Sequence, residues 1–346
     1  MRDVVLAQRT TLGLGGPARR FAKAETIDQL TDALASAGDD PVLVIGGGSN
    51  LVVRDGGWPG LAIQIAIPGV TIREGDGDHA IVTAFAGVVW DDLVAQMVDA
   101  KLSGVECLSG IPGLVGATPM QNVGAYGQEV ADTIVLVRVL DRQTGEIESF
   151  EPAACGFAYR TSVFKGSERW VVLEVRFRLA RSSESAPIRY AELSRALGVP
   201  EGGRAPLARM RETVIALRRG KGMVVDPGDP DSRSAGSFFM NPIVDASTLS
   251  ALEARLPAGT ALPKWAAPDG KTKLSAGWLI ERAGFVKGTS RGNVGISSKH
   301  ALALVTRSGA TTRELLALAA EIQAGVKTQL GIDLVPEPVI VGADKE

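Results

Sequence analysis

The stretch SGIPGLVGATPMQNVGAYGQ, residues 109–128, packs five glycines and two prolines into one short segment. Loops of this length and composition are seldom plain connectors. Glycine lets the backbone approach a ligand closely, and side-chain hydroxyls and amides supply a few fixed hydrogen bonds. A ligand-binding role is therefore favoured over a connecting role.

A second glycine-rich loop, GGGSN at 46–50, directly follows the strand-like run PVLVIGG at 41–47. Its small residues can place backbone N–H groups around a phosphate, and a tight structural turn explains the sequence equally well. A Rossmann fingerprint does not fit, because its third glycine would fall on Leu51 and the following LVVRDGG is typical of a strand and a turn. Two such loops suit a long dinucleotide.

The N-terminal part of the chain alternates helical and strand-like segments, which favours the mixed α+β class. The pattern Thr26-x-x-Gln29 is a capping-box start for the first helix, and Gly104 follows the second. Predicted helices span 28–37 and 91–102, and predicted strands span 41–47, 61–67 and 80–86.

The C-terminal part begins after a polar region, and we place a domain boundary near 225. The tract DPGDPDSRSAG at 226–236 is typical of a loop. The last helix has a Thr311-x-x-Glu314 capping box and an apolar face that includes Leu315 and Leu318. Predicted helices here span 207–217, 276–282 and 312–330.

Composition excludes several function classes. The formal net charge is −2, and no basic segment interleaved with aromatics occurs, so no nucleic-acid partner is expected. The two cysteines, Cys107 and Cys155, have no paired spacing, and the two histidines, His79 and His300, lie far apart, so neither a disulfide framework nor a metal site is expected. Without a signal-like N-terminus or a run of about 18 apolar residues, we expect a cytoplasmic protein with no membrane partner.

Five motifs together resemble one family. They are GGGSN, GIPGLVGATPMQNVGAYG, YRTSVFK at 159–165, GSFFMNP at 236–242 and PEP at 336–338. In this order they are similar to the motifs of the UDP-N-acetylenolpyruvoylglucosamine reductase family, over roughly residues 8–342. Each motif alone is weak, but their co-occurrence by chance is very improbable.

The resemblance implies an FAD-binding fold of the vanillyl-alcohol-oxidase type with a separate C-terminal α+β substrate-binding domain. It divides the chain into FAD-binding subdomains over 1–68 and 69–225, a substrate-binding domain over 226–331, and a C-terminal strand over 332–346 that carries Glu337. An insertion near 182–206 resembles the family's longer subtype, in which a tyrosine loop closes over bound substrate. We expect a monomer that binds only small molecules.

The family reduces the enolpyruvyl ether of UDP-N-acetylglucosamine to UDP-N-acetylmuramate, in peptidoglycan precursor synthesis, with NADPH as hydride donor and FAD as the relay. The resemblance implies FAD contacts at Gly46, Gly47, Gly48, Ser49, Asn50, Leu51, Ser109, Gly110, Ile111, Pro112, Gly116, Ala117, Thr118, Gln121, Asn122, Gly124 and Ala125. It implies contacts with substrate or NADPH at Tyr159, Tyr190, Lys221, Asn241, Lys273, Lys287 and His300.

Three residues match the family's catalytic positions. Ser237 corresponds to the proton donor, and Arg160 to the arginine that holds the substrate carboxylate and favours enol charge. Glu337, between two prolines, corresponds to the glutamate that assists enol formation or protonation, a role that would require partial burial.

Each assignment has an ordinary structural alternative. Ser237 could be a turn or N-cap serine, Arg160 a surface salt bridge, and Glu337 a solvent-facing edge-strand carboxylate. Tyr190 suits a packing anchor as well as a lid. Met240 stands where many members carry lysine, and the 226–236 tract is longer and more acidic than is usual in the family.

The sequence leaves two rival functions to consider. An FAD oxidase of the same fold would have no use for the three catalytic candidates, and many such oxidases tether flavin through a histidine or cysteine that neither glycine-rich loop contains. A non-catalytic nucleotide-sugar sensor would have no need to retain residues suited to all three chemical roles.

Overall fold

The computed structural model describes residues 2–344 and contains both helices and strands throughout. The helices are α1 (Ile27–Ala35), α2 (Trp90–Asp99), α3 (Ala191–Leu197), α4 (Leu207–Gly220), α5 (Ala246–Glu253), α6 (Ala276–Arg282) and α7 (Thr312–Leu330). No helix within this range combines the length and apolarity that crossing a membrane would require.

Most of the strands are short. They are β1 (Arg2–Val5), β2 (Pro17–Ala24), β3 (Val42–Ile45), β4 (Leu51–Val53), β5 (Trp58–Ile65), β6 (Val70–Glu74), β7 (His79–Phe85), β8 (Leu102–Ser103), β9 (Gly124–Ala125), β10 (Gln128–Glu129), β11 (Ile134–Asp141), β12 (Ile147–Phe150), β13 (Trp170–Arg181), β14 (Ile243–Val244), β15 (Lys264–Ala266), β16 (Thr272–Leu274), β17 (Ser290–Arg291), β18 (Val294–Ile296), β19 (Leu304–Thr306) and β20 (Val339–Val341).

The chain divides into two compact units. Unit 1 comprises residues up to Val4, Ala18–Gly48 and Pro59–Gly220. Unit 2 comprises Val5–Pro17, Ser49–Trp58 and the chain from Lys221 onward.

Unit 1 is built on two sheets. An antiparallel sheet has the order β12-β11-β13-β7-β6, and a second sheet has the order β1-β2-β5-β3. The alternating burial of β7 turns Ala80, Val82 and Ala84 into a core that also holds Trp90 of α2. This core supports the C-terminal end of β7, where the 109–128 loop is held to the sheet.

Unit 2 packs α6 and α7 around a single apolar core. Leu315, Leu318 and Ile322 of α7 are almost completely buried there, together with Phe238 and Leu279. A parallel pair between β4 and β20, with Leu51 opposite Val339, belongs to the same unit. The early chain segment is therefore part of the C-terminal unit because strand pairing holds it there.

Several sequence predictions are confirmed. The helices over 276–282 and 312–330 have the predicted ends, and Thr311 and Glu314 form the reciprocal capping box. Strand β3 lies within the predicted run 41–47, and Thr26 caps α1 by accepting from the Gln29 N–H. Strands β5 and β7 overlap the predicted runs 61–67 and 80–86 but begin before them.

Other boundaries differ from prediction. Helix α2 ends at Asp99, not 102, because Lys101 has a φ of 57° and Leu102 enters β8 instead. Strand β20 begins at Val339, so Glu337 precedes the strand that was expected to carry it. Residues 5–17 and 49–58 lie in unit 2 and not with the rest of 1–68, and unit 2 resumes at Lys221 instead of 226.

Replacing Leu318 with Ala tests the core of unit 2. Leu318 is 1% exposed, so Leu318→Ala should lower the free energy of unfolding by about 2–5 kcal/mol. Urea unfolding measures this loss. Leu316→Ala, on the partly exposed face of the same helix, is the matched control. An equal loss in both variants would contradict the assigned core face.

Candidate functional site

The two glycine-rich loops meet within unit 1 at positions where no side chain fits. A methyl group at Gly116 would lie 2.5 Å from the Ala86 Cβ, and one at Gly47 would lie 2.9 Å from the Gly113 Cα. The Gly116 N–H donates to the Ala86 carbonyl over 3.1 Å. This close packing fixes the two loops against each other and against Ala86, just past the end of β7.

Polar side chains of the 109–128 loop hold its shape. The Ser109 hydroxyl donates to the Glu106 carbonyl over 2.6 Å, and the Thr118 hydroxyl donates to the Val115 carbonyl over 2.8 Å. The buried Asn122 amide donates to the Glu129 carboxylate over 2.7 Å. These three were predicted to contact FAD, and that role stays a prediction.

Arg160 sits in a tight turn with a left-handed backbone, at a φ of 55°. An isolated bridge pairs Ala158 with Thr161 around it, and Lys165 donates to the Arg160 carbonyl over 2.8 Å. Its guanidinium donates to the Gly124 carbonyl over 2.7 Å, at the start of the β9–β10 hairpin. The side chain of Arg160 is therefore held against the glycine-rich loop.

A charged group beside Arg160 was not predicted as part of the site. Arg218 of α4 is 9% exposed, and burial lowers its pKa to about 10. The charge of Arg160 also lowers this pKa, whereas Tyr126 and Asp91 raise it. Burial raises the pKa of the Tyr126 phenol to about 12, although Arg218 works against this. Arg218 and Arg160 together make this part of unit 1 suited to an anion.

Asp91 connects that cluster to the loop. Its carboxylate accepts from the Gly110 N–H over 2.6 Å and from both terminal nitrogens of Arg211, over 2.6 and 2.9 Å. Burial raises the pKa of Asp91, but the hydrogen bonds from Arg211 and Gly110 outweigh it and keep the pKa below the usual value. The ionised carboxylate thus fixes the beginning of the glycine-rich loop.

Ser237 lies on a non-helical segment of unit 2, between two bends, and its neighbours are held by hydrogen bonds. Gly236 has a φ of 73° and donates its N–H to the Ser234 hydroxyl, and the Phe238 N–H donates to the Leu302 carbonyl over 2.7 Å. Residues 233–242 contain no helix, so an N-cap role for Ser237 is excluded. Ser237 itself is half-buried, between the partly exposed Gly236 and the fully buried Phe238.

Glu337 is brought beside this segment by backbone pairing. The Glu337 N–H donates to the Phe238 carbonyl over 2.9 Å, and the Met240 N–H donates to the Val335 carbonyl over 3.0 Å. On its other side, the Glu337 carbonyl accepts from the Asn50 amide over 3.4 Å. Glu337 is half-buried. Its segment lies next to that of Ser237, although a hundred residues separate the two in sequence.

The other predicted contacts of substrate or NADPH are distributed over both units. Tyr190 of unit 1 is 44% exposed and packs edge-on against Tyr126, with ring centroids 5.5 Å apart. The Tyr159 ring lies 5.5 Å from the Arg160 guanidinium. Both the anchoring role and the lid role of Tyr190 are compatible with this packing.

In unit 2, two of these residues have clear structural contacts. The Asn241 side chain accepts the Ala276 N–H over 2.9 Å at the start of α6, and the Lys273 ammonium lies 5.9 Å from the centre of the Trp265 ring. The remaining members are Lys221 and His300, both half-buried, and Lys287, which is exposed. Their ligand contacts stay predictions.

Two family models match the chain. One, described as an FAD binding domain, covers residues 18–151, and the other, described as the C-terminal domain of UDP-N-acetylenolpyruvoylglucosamine reductase, covers residues 229–341. An FAD-binding domain joined to such a domain, in a mixed helix and strand fold, defines an FAD-dependent oxidoreductase. The predicted fold class and the cofactor FAD are thereby confirmed.

Full-length relatives narrow the class. The chain is 54% identical to the UDP-N-acetylenolpyruvoylglucosamine reductase of Thermobifida fusca, over 99% of this chain and 98% of the relative. It is 51% identical to that of Salinispora arenicola, over 97% and 94% of the two chains. A crystal structure of the Thermus caldophilus reductase (MurB) matches with a TM-score of 0.67 and 27% identity, over 98% of each chain. The chain belongs to the UDP-N-acetylenolpyruvoylglucosamine reductase family.

A methyl group at Gly116 tests the packed glycine-rich loop. Gly116→Ala should displace the loop from Ala86 and reduce the amount of FAD that remains bound after purification, because the Cβ overlaps protein atoms at 2.5 Å. The flavin-to-protein absorbance ratio measures this loss. Gly277→Ala in α6, where the nearest atom lies at 3.5 Å, should keep its FAD. Full FAD content in Gly116→Ala would contradict this account of the loop.

Proposed function

We propose that this protein reduces UDP-N-acetyl-3-O-(1-carboxyvinyl)-glucosamine to UDP-N-acetylmuramate with NADPH, as a step in peptidoglycan precursor synthesis. Its relationship to reductases of this name over nearly the whole of both chains carries the proposal. FAD, which the two glycine-rich loops would hold, would supply the hydride chemistry between NADPH and the terminal carbon of the enolpyruvyl group.

Arg160 holds the carboxylate of the substrate and favours the charge that develops on it. Once the terminal carbon carries the hydride, the remaining electrons form an enol conjugated with the carboxylate. A guanidinium can donate two parallel hydrogen bonds to that group and stabilise it more as its charge grows. The hydrogen bond from Arg160 to the Gly124 carbonyl supports this role, since it fixes the orientation of the guanidinium.

Ser237 donates a proton to the enolic carbon. A serine hydroxyl is a weak acid, but an enolic carbon is basic enough to take the proton when the two atoms are held together. The hydrogen bond at Phe238 and the bend at Gly236 support this assignment, because they hold the serine in one backbone position.

Glu337 assists the same protonation. Pro336 and Pro338 stiffen its backbone, and the hydrogen bond to Phe238 sets its distance from the Ser237 segment. A half-buried carboxylate at that place can orient the hydroxyl or share its proton.

The remaining predicted contacts belong to the same proposal. FAD is held by the positions of the two glycine-rich loops named above, and the substrate and NADPH by Tyr159, Lys221, Asn241, Lys273, Lys287 and His300, with Tyr190 on a closing loop. We also propose a monomeric enzyme in the cytoplasm that binds no nucleic acid. Two buried free cysteines support a reducing compartment.

Stopped-flow absorbance tests the overall reaction. Without oxygen, NADPH should bleach the visible flavin absorbance, and the enolpyruvyl substrate should restore it, because each ligand reacts with the cofactor in turn. Reduced protein that recovers its colour only with oxygen would favour the rival oxidase. Absence of bleaching by NADPH would sink the reductase proposal.

Replacing Ser237 separates the two half-reactions. Ser237→Ala should leave bleaching by NADPH fast and slow the recovery with substrate by about 10²–10⁴-fold, since only the second half-reaction needs the proton. Ser247→Ala, at an exposed position on α5, is the matched control and should behave as wild type. If both half-reactions stay fast in Ser237→Ala, another group donates the proton.

A further inference from the structure

Glu106 carries a carboxylate that is completely buried in unit 1. One oxygen accepts from the Ala186 N–H over 2.7 Å, the Gln128 amide over 3.1 Å and the Ser103 hydroxyl over 3.4 Å. The other accepts from the Gly104 N–H over 2.6 Å. All of these donors are neutral, so hydrogen bonds alone offset the loss of hydration.

The sequence gives only a weak signal for this arrangement. Glu106 is the lone acid in the apolar run GVECLSG, directly before the glycine-rich loop. A buried acidic group is costly unless every acceptor site is used, and a network of this kind defines one arrangement of the chain segments that it joins.

One connection leads to Arg160. The Gln128 amide that donates to Glu106 accepts the Cys107 N–H through its oxygen, over 2.8 Å. Gln128 lies opposite Ala125 in the β9–β10 hairpin. The preceding residue, Gly124, supplies the carbonyl that holds the Arg160 guanidinium.

A second connection leads to the insertion over 182–206. Ala186 is anchored by its N–H to the Glu106 carboxylate. Four residues later, Tyr190 packs edge-on against Tyr126, which lies between the two strands of the same hairpin. Glu106 thus holds the hairpin through Gln128, beside the turn, and the turn residue Tyr126 contacts the insertion.

We propose that Glu106 is a positioning residue, which sets the place of the Arg160 guanidinium and of the Tyr190 segment through the β9–β10 hairpin. This inference rests on the proposed function of Arg160. A glutamine at 106 would turn one acceptor into a donor facing the N–H of Gly104 or of Ala186. The hairpin or the insertion would have to move, and a misplacement of about 1 Å can lower a rate by about 100-fold.

Glu106→Gln tests the proposal in the FAD-loaded enzyme. Bleaching by NADPH should stay close to wild type, and reoxidation by the enolpyruvyl substrate should slow by about 100-fold. Glu106→Gln should mainly lower the maximal rate of reoxidation and should change the half-saturating substrate concentration less. The reason is that the contact of Arg160 with the substrate strengthens as enol charge forms. If Glu106 were only structural, the substitution would lower the thermal stability without slowing the second half-reaction selectively.

Two further variants keep the outcome decisive. Gln128→Met removes the hydrogen bond between the hairpin and Glu106 while leaving the Glu106 carboxylate in place. It should therefore reproduce the slow second half-reaction even if Glu106→Gln does not fold. Glu174→Gln is the matched control: this carboxylate is 3% exposed and accepts from Arg138 and Arg176 in the strand region, so both half-reactions should remain near wild type.

The measurements distinguish a failure of the positioning role from a failure of the proposed function. A second half-reaction of wild-type speed in folded Glu106→Gln or Gln128→Met overturns the positioning role. An equal slowing in Glu174→Gln also overturns it, since any buried carboxylate would then have the same effect. If wild-type protein itself is not reoxidised by the substrate, the proposed function fails.

Discussion

The candidate site of unit 1 depends on close packing between its two glycine-rich loops and the chain just after β7. Gly116 lies so near Ala86 that even a methyl group would overlap, and Gly47 meets Gly113 in the same way. Because these contacts involve main chain on both sides, the loops cannot rearrange by rotating a side chain. Strand β7, which ends at Phe85, therefore places the 109–128 loop directly.

The hydroxyls of that loop follow from the same constraint. Ser109 and Thr118 donate to carbonyls three residues back, so their hydrogen bonds stabilise the turns that bring the glycines into contact. A hydroxyl that donates in this way keeps only its acceptor lone pairs for other contacts.

Local patterns predicted the helices well and the long-range connections poorly. Helices α6 and α7 have caps and apolar faces that can be read within a few residues, and both ended where expected. The pairing of β4 with β20 joins segments almost three hundred residues apart, and no local pattern reveals it. For the same reason Ser237 and Glu337 were separate candidates in the sequence, and the backbone hydrogen bonds of Glu337 with Phe238 and of Met240 with Val335 bring their segments together.

A buried polar network accounts for one acid of the tract over 226–236. Asp231 is 3% exposed and accepts from the Ser297 hydroxyl, from the N–H and hydroxyl of Ser298, and from Arg307. Burial raises its pKa, but these hydrogen bonds prevail and hold the pKa below the usual value, so the carboxylate stays ionised. The acid thereby anchors the chain that leads to Ser237. Polar residues that look like a solvated loop in sequence can act as internal anchors, because the fold alone determines whether donors surround them.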